Sequence, residues 1–140
     1  MRIVVTGATS FIGLAVIENL LHGGHEVLAV VRPESPGRKN LEGRKGIRIL
    51  TCGLDHIGNL TDPLVLAGRP DGPGGSGAAR GADAWLHLGW EGAGSANRQN
   101  PQLQARNIGY ALESLRTAAA IGCTRFLFSG SQAEYGIYST

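Results

Sequence analysis

The chain is short of cysteine, of long apolar runs and of excess charge, and each shortage removes a class of protein. Cys52 and Cys123 are its two cysteines. They are too few for a disulfide framework and lack metal-ligand spacing, so they read as structural or incidental thiols. His22, His25 and His56 have no ligand or nucleophile partner at useful spacing, and no metal site is expected. No apolar run approaches the roughly 18 residues of a membrane span. The opening Met1-Arg2-Ile3-Val4-Val5-Thr6-Gly7 is too short in apolar residues for a signal peptide and runs straight into a glycine turn. A cytoplasmic location is the expectation. The net charge of +2 gives no argument for nucleic acid or an anionic membrane as partner.

What is present is a globular composition, 42% hydrophobic and 17% charged over 140 residues, which suits one domain with its own core. Glycine is the outlier at 22 residues. Some of it sits where a nucleotide-binding turn needs it.

Arg2 to Thr6 is short, apolar and β-branched and reads as a buried strand. Phe11 to His22 reads as a helix with Ile12, Ala15, Val16, Leu20 and Leu21 on its apolar face, stopped by Gly23-Gly24. Glu26 to Val31 is a second strand, which completes one βαβ unit in about 30 residues. Arg32 to Gly46 is polar, punctuated by proline and glycine, and holds five basic residues, with room for a weak helix. Ile47 to Thr51 is a third strand, and Ile57 to Leu66 is expected as a short helix limited by Pro63. Ala67 to Asp83 has six glycines and two prolines in 17 residues, the composition of a flexible surface loop within a single domain 1–140. Asp83 to Leu88 and Thr124 to Ser129 are the fourth and fifth strands. Between them Pro101 to Ile121 is the strongest helix, with Leu103, Ala105, Ile108, Ala111, Leu112, Leu115, Ala118 and Ala119 at helical spacing. Strands alternating with helices predict an α/β fold, a doubly wound parallel sheet of the Rossmann type in the order 3-2-1-4-5.

The informative motif is Thr6-Gly7-Ala8-Thr9-Ser10-Phe11-Ile12-Gly13, which leaves a strand and opens a helix. Gly7 permits the tight turn and Gly13 lets the helix approach the sheet. The free N–H groups at the helix start, near Ser10, Phe11 and Ile12, point where a pyrophosphate would sit. Gly7, Thr9, Ser10, Phe11, Ile12 and Gly13 are therefore candidate cofactor contacts.

Here the chain resembles the extended short-chain dehydrogenase/reductases, also called NAD-dependent epimerase/dehydratases. The spacing 7, 10, 13 is similar to that family's Thr-Gly-x-x-Gly-x-x-Gly turn, with Ser10 at the middle glycine. His87-Leu88-Gly89 looks like the family's segment that lines the cofactor after the fourth strand. Asn107-Ile108, with Leu112, Leu115 and Ala118-Ala119, looks like its Asn-Val-x-Gly-Thr helix. Phe126 to Gly136 looks like its Phe-x-x-Ser-Ser-x-x-x-x-Tyr-Gly segment. The match spans nearly the whole chain, and the resemblance adds His87, Leu88, Gly89, Asn107 and Ser129 as cofactor contacts. Gly53-Leu54 stands where the family has Asp-Leu or Asp-Val near the adenine, which makes Leu54 a contact and leaves the carboxylate missing, with Asp55 two residues on.

The cofactor expected is NADP(H) rather than NAD(H). The second strand ends Val30-Val31-Arg32, with no acidic residue to hold a ribose 2′-hydroxyl, while a guanidinium suits a 2′-phosphate. Arg38 and Lys39 are further basic candidates. For chemistry the resemblance implies a Ser/Thr, a Tyr and a Lys, with the lysine lowering the tyrosine pKa so that it moves a proton while nicotinamide takes or gives hydride. Ser131 matches the catalytic serine, and Ser129 is next in line. The two lysines, Lys39 and Lys45, precede the third strand, and none of Tyr110, Tyr135 and Tyr138 has a lysine four residues on. The sequence reads as truncated before the last strands and the substrate lobe, with no normal turnover expected from this polypeptide alone.

Trp90, Glu91 and Arg98 follow the fourth strand where a small-molecule substrate would meet the nicotinamide, whereas Trp85 reads as core. The fifth strand, an edge, is an expected site of pairing through Phe126, Leu127 and Phe128. Three readings stand: the NAD(P)-binding portion of an epimerase, dehydratase or reductase acting on a nucleotide sugar or related carbonyl/alcohol substrate, a non-catalytic NAD(P)-binding sensor or regulator, or an inactive remnant.

Overall fold

The computed structural model describes residues 1–62, 65, 81–94, 97 and 99–130. Five parallel strands, β1 (Arg2–Thr6), β2 (Glu26–Val31), β3 (Ile47–Thr51), β4 (Ala84–His87) and β5 (Arg125–Phe128), form one sheet in the order β3-β2-β1-β4-β5. This is the doubly wound Rossmann arrangement. Its inner strands are apolar on both faces because both faces are covered. Val4, Leu28, Val30, Leu50 and Trp85 fill one side, and Ile3, Val5, Val27, Ala29 and Val31 the other. Trp85 is fully buried, as expected.

Helix α1 (Phe11–His22) opens at Ser10, whose hydroxyl accepts from the Gly13 amide at 2.9 Å. It packs through Gly13 and Ile17, supported by Leu14, Leu20 and Leu21. The expected face is corrected here. Ile12 and Ala15 are exposed, because the packed face of α1 runs through Gly13 and Ile17 and these two residues lie off it.

Helix α2 (Pro101–Ala120) starts at Asn100, whose side chain accepts from the Leu103 amide, with proline at its first turn. It brings a larger correction. Its buried residues are Asn107, Ser114, Thr117 and Ala118, while Ile108, Leu112 and Leu115, expected on the core face, are 59%, 51% and 46% exposed. The spacing that marks the helix also marks a stripe turned away from the sheet.

Two short 3-10 segments complete the described chain. Pro36–Asn40 is the weak helix expected after β2. Leu54–Thr61 replaces the helix expected at 57–66. It begins three residues earlier, because Gly53 provides an extended cap, and it kinks at His56. Residues 63, 64 and 66 and most of the glycine-rich loop expected at 67–83 lie outside the described residues. Among the described residues no helix is long and apolar enough to cross a membrane.

Candidate functional site

The turn from β1 into α1 is built around two glycines. Gly7 has φ +66°, and a Cβ placed on it would stand 2.6 Å from the Leu88 carbonyl oxygen, so a side chain there is both strained and blocked. A Cβ on Gly13 would strike the Gly7 carbonyl oxygen, so α1 starts in direct contact with the turn beneath it. Ser10 at the middle position has ordinary extended backbone, φ −74° and ψ 164°, and turns its hydroxyl back onto the helix. That bond engages the Gly13 amide. The amides of Phe11 and Ile12, first in the helix, have no preceding carbonyl in it to bond.

Around this turn the carboxyl ends of the strands enclose a cleft of about 890 Å³. Gly7, Thr9, Ser10, Phe11 and Ile12 line it from the turn, Leu88 and Gly89 from the end of β4, and Arg32, Leu54 and Ser129 from the ends of β2, β3 and β5. The structure thus brings ten of the sequence-derived contacts to one cavity, on the side of the sheet where ligands of such folds bind.

Three others stand behind the wall. Gly13 supports the turn. His87 is 1% exposed, its ring stacked against those of Phe126 and Phe128 on the neighbouring strand at centroid distances of 6.2 and 5.8 Å. Its expected place against the cofactor is corrected to a place beneath the floor. The Thr6 hydroxyl accepts from the amides of Leu88 and Gly89, at 3.2 and 3.1 Å, and lies 3.1 Å from His87 Nδ1. With both lone pairs engaged, the hydroxyl has its proton to give to Nδ1, which leaves the histidine proton on Nε2. Burial lowers the His87 pKa to about 4, so the ring is neutral at neutral pH.

Asn107 is likewise 1% exposed and is corrected to a supporting role. Its side chain accepts from the Glu91 amide and donates to the Glu91 carbonyl, both at 2.8 Å, which fixes the loop after β4. Ser131, the candidate catalytic serine, lies outside the described residues, as do Tyr135, Tyr138 and Arg98. Ser129 is described, with its amide donating to the His87 carbonyl at 3.2 Å.

The basic residues after β2 divide. Arg38 is engaged, donating to Glu42 at 2.8 Å and to the Thr51 hydroxyl at 2.9 Å. Arg32 is exposed on the cleft wall, and its guanidinium has no ion-pair partner among the described residues. Asp55 pairs with His56 at 3.3 Å and folds against Gly53, away from the cleft wall. No carboxylate reaches the β2–β3 end of the cavity among the described residues.

Sequence reasoning did not single out Ser35, and it read Cys52 as a structural or incidental thiol. Ser35 is buried on the cleft wall with its hydroxyl 3.0 Å from that of Thr9, which ties the β2 loop to the turn. The small residues Ser35-Pro36-Gly37 after β2 were the available signal. A Cβ on Gly37 would meet the Thr9 side chain at 2.8 Å. Cys52 lines the cavity, but burial, and after it Asp55, raises its pKa, so it remains a thiol.

A family model described as "NAD dependent epimerase/dehydratase family" matches residues 3–140. The chain belongs to this family. Similar solved structures include a UDP-glucose-4-epimerase of Stenotrophomonas maltophila with bound NAD and formylated UDP-arabinopyranose, at 20% identity and a TM-score of 0.77 over 100% of this chain. A short-chain dehydrogenase/reductase superfamily protein of Agrobacterium tumefaciens with bound NAD matches at 26% identity and a TM-score of 0.65 over 97% of this chain. An uncharacterized protein of Schizosaccharomyces pombe is 51% identical over 39 residues, 28% of this chain. The chain spans 40% and 34% of those two solved chains and 13% of the Schizosaccharomyces protein.

Proposed function

We propose that this member of the epimerase/dehydratase family holds a nicotinamide dinucleotide across the carboxyl ends of its strands, with NADP(H) preferred over NAD(H). The observation that carries the reading is the cavity itself. It joins the first amides of α1, suited to a pyrophosphate, to the exposed Arg32 guanidinium at the end of β2. The pyrophosphate rests on Gly7 and the amides of Phe11 and Ile12, with Thr9 and Ser10 beside it. The adenosine half lies toward Arg32 and Leu54, where Arg32 pairs with the 2′-phosphate. The nicotinamide half lies toward Gly89 and Ser129. Bound there, the cofactor supplies hydride transfer to or from a substrate carbon.

The activity that fits is epimerisation, dehydration or reduction of a nucleotide sugar or a related carbonyl/alcohol compound, in the cytoplasm. Ser131, with Ser129 as the next candidate, would bond the substrate oxygen. A second reading is a non-catalytic NAD(P)-binding sensor, for which the dinucleotide cleft alone would suffice. We place pairing with a further strand or partner at β5, where Leu127 and Phe128 are about half exposed.

Calorimetric titration with NADPH and NADH, repeated on Arg32→Ala, tests the proposal. The expected result is saturable binding with NADPH the tighter ligand, and a preference reduced about tenfold in the variant. No binding of either ligand to the folded chain would contradict it.

A further inference from the structure

We infer that Trp90 and Glu91 form a built subsite for the charged, oxidised nicotinamide ring and bias this chain toward the oxidised cofactor. The inference rests on the dinucleotide reading above. Trp90 lines the cleft beyond Gly89 and is 38% exposed, so it offers a large aromatic surface to the cavity. It is fixed by its surroundings. The indole Nε1–H donates to Gln104 Oε1 at 2.7 Å, and the ring meets Phe128 edge-on at 6.2 Å. Gln104 is held in turn by its own bond to the Asn97 carbonyl at 3.1 Å.

The next residue is held as firmly, since Asn107 grips both backbone polar groups of Glu91. Phe11, also on the cleft wall, is 91% exposed and is not enclosed in this way. A half-open indole secured at its nitrogen and at its ring edge loses little freedom when a ligand packs on it. The ligand such a surface takes is a planar heteroaromatic ring. Glu91, the next residue along the chain, also lines the cavity and is acidic. An aromatic surface beside a carboxylate attracts a cationic ring more than a neutral one. Of the two redox forms, only the oxidised nicotinamide carries that charge.

The test is calorimetric titration of the chain with NADP+, NADPH and 2′,5′-ADP, which keeps the adenosine half and lacks the nicotinamide. Wild type, Trp90→Ala, Trp90→Phe and Glu91→Gln are compared, with unfolding curves to confirm the fold. Trp90→Ala is expected to weaken NADP+ about tenfold, NADPH less and 2′,5′-ADP not at all. Trp90→Phe, which keeps an aromatic face, is expected to retain most of the affinity for NADP+. Glu91→Gln is expected to narrow the gap between NADP+ and NADPH. Unchanged NADP+ affinity in Trp90→Ala, or an equal loss for 2′,5′-ADP, overturns the inference and leaves the dinucleotide reading standing. Failure of wild type to bind all three ligands overturns both.

Discussion

The two helices pack on the same sheet by opposite means. Helix α1 buries Ile17 fully and sets Leu14, Leu20 and Leu21 against the β1–β2 side. Helix α2 turns Asn107, Ser114, Thr117 and Ala118 inward and leaves Ile108, Leu112 and Leu115 about half exposed. The first helix is held by transfer of apolar surface, and its free end meets the cleft with bare amides. The second is seated through small and polar groups, and one of these, Asn107, shapes the far wall of the cleft. Apolar periodicity therefore identifies both helices but gives the buried face of neither in full, since Ile12 of α1 and Ile108, Leu112 and Leu115 of α2 stand exposed.

The largest effect that sharpens this contrast is expected at Ile17. Ile17→Ala removes a fully buried side chain and should cost about 2–5 kcal/mol in urea unfolding. Leu112→Ala, the corresponding change on the exposed stripe, should cost less than about 1 kcal/mol. Equal losses would break the comparison.

The second effect lies on β4 and depends on pH. His87 has a folded pKa of about 4, below its ordinary 6.5, because burial disfavours the charged ring. Above pH 6.5 the ring is neutral in folded and unfolded chains alike, and its contribution to stability is intact. As pH falls from 6.5 toward 4 the unfolded chain takes up the proton first, so stability declines, by about 2–3 kcal/mol for this group. Unfolding curves between pH 7 and pH 4.5 should show that decline, and His87→Phe should flatten it. An unchanged slope in the variant would remove His87 as its source.

A third effect tests the support that α2 gives the cleft. Asn107→Leu leaves the Glu91 amide and carbonyl without their partner and should cost about 1–3 kcal/mol. It should also weaken dinucleotide binding, although Asn107 does not line the cavity. A loss of stability with unchanged affinity would separate the helix from the site.

The sheet was legible almost to the residue, because parallel strands between glycine turns are short apolar runs with little else in them. Strands β1, β2 and β3 run as read, and β4 and β5 are each one residue shorter at either end. The turn at Gly7 was equally legible, since its glycines answer a backbone demand that sequence states directly. What sequence did not state was depth. His87 and Asn107 stand at expected positions, yet both side chains turn inward, His87 to Thr6 and Asn107 to Glu91. A polar residue near a site in sequence can hold the wall as readily as form it. Ser35 was missed for the converse reason. Its role comes from contact with Thr9, 26 residues away, which no local pattern encodes.

The central claim is that the carboxyl-end cleft is where the dinucleotide lies, and amide NMR shifts during titration with NADPH test it most directly. The account predicts large shifts at Phe11, Ile12, Arg32 and Gly89, with Gly24, Gly43 and Gly46 unmoved. Shifts confined to the opposite end of the sheet, where Glu26, Glu42, Gly46 and Arg48 line a second hollow of about 500 Å³, would contradict it.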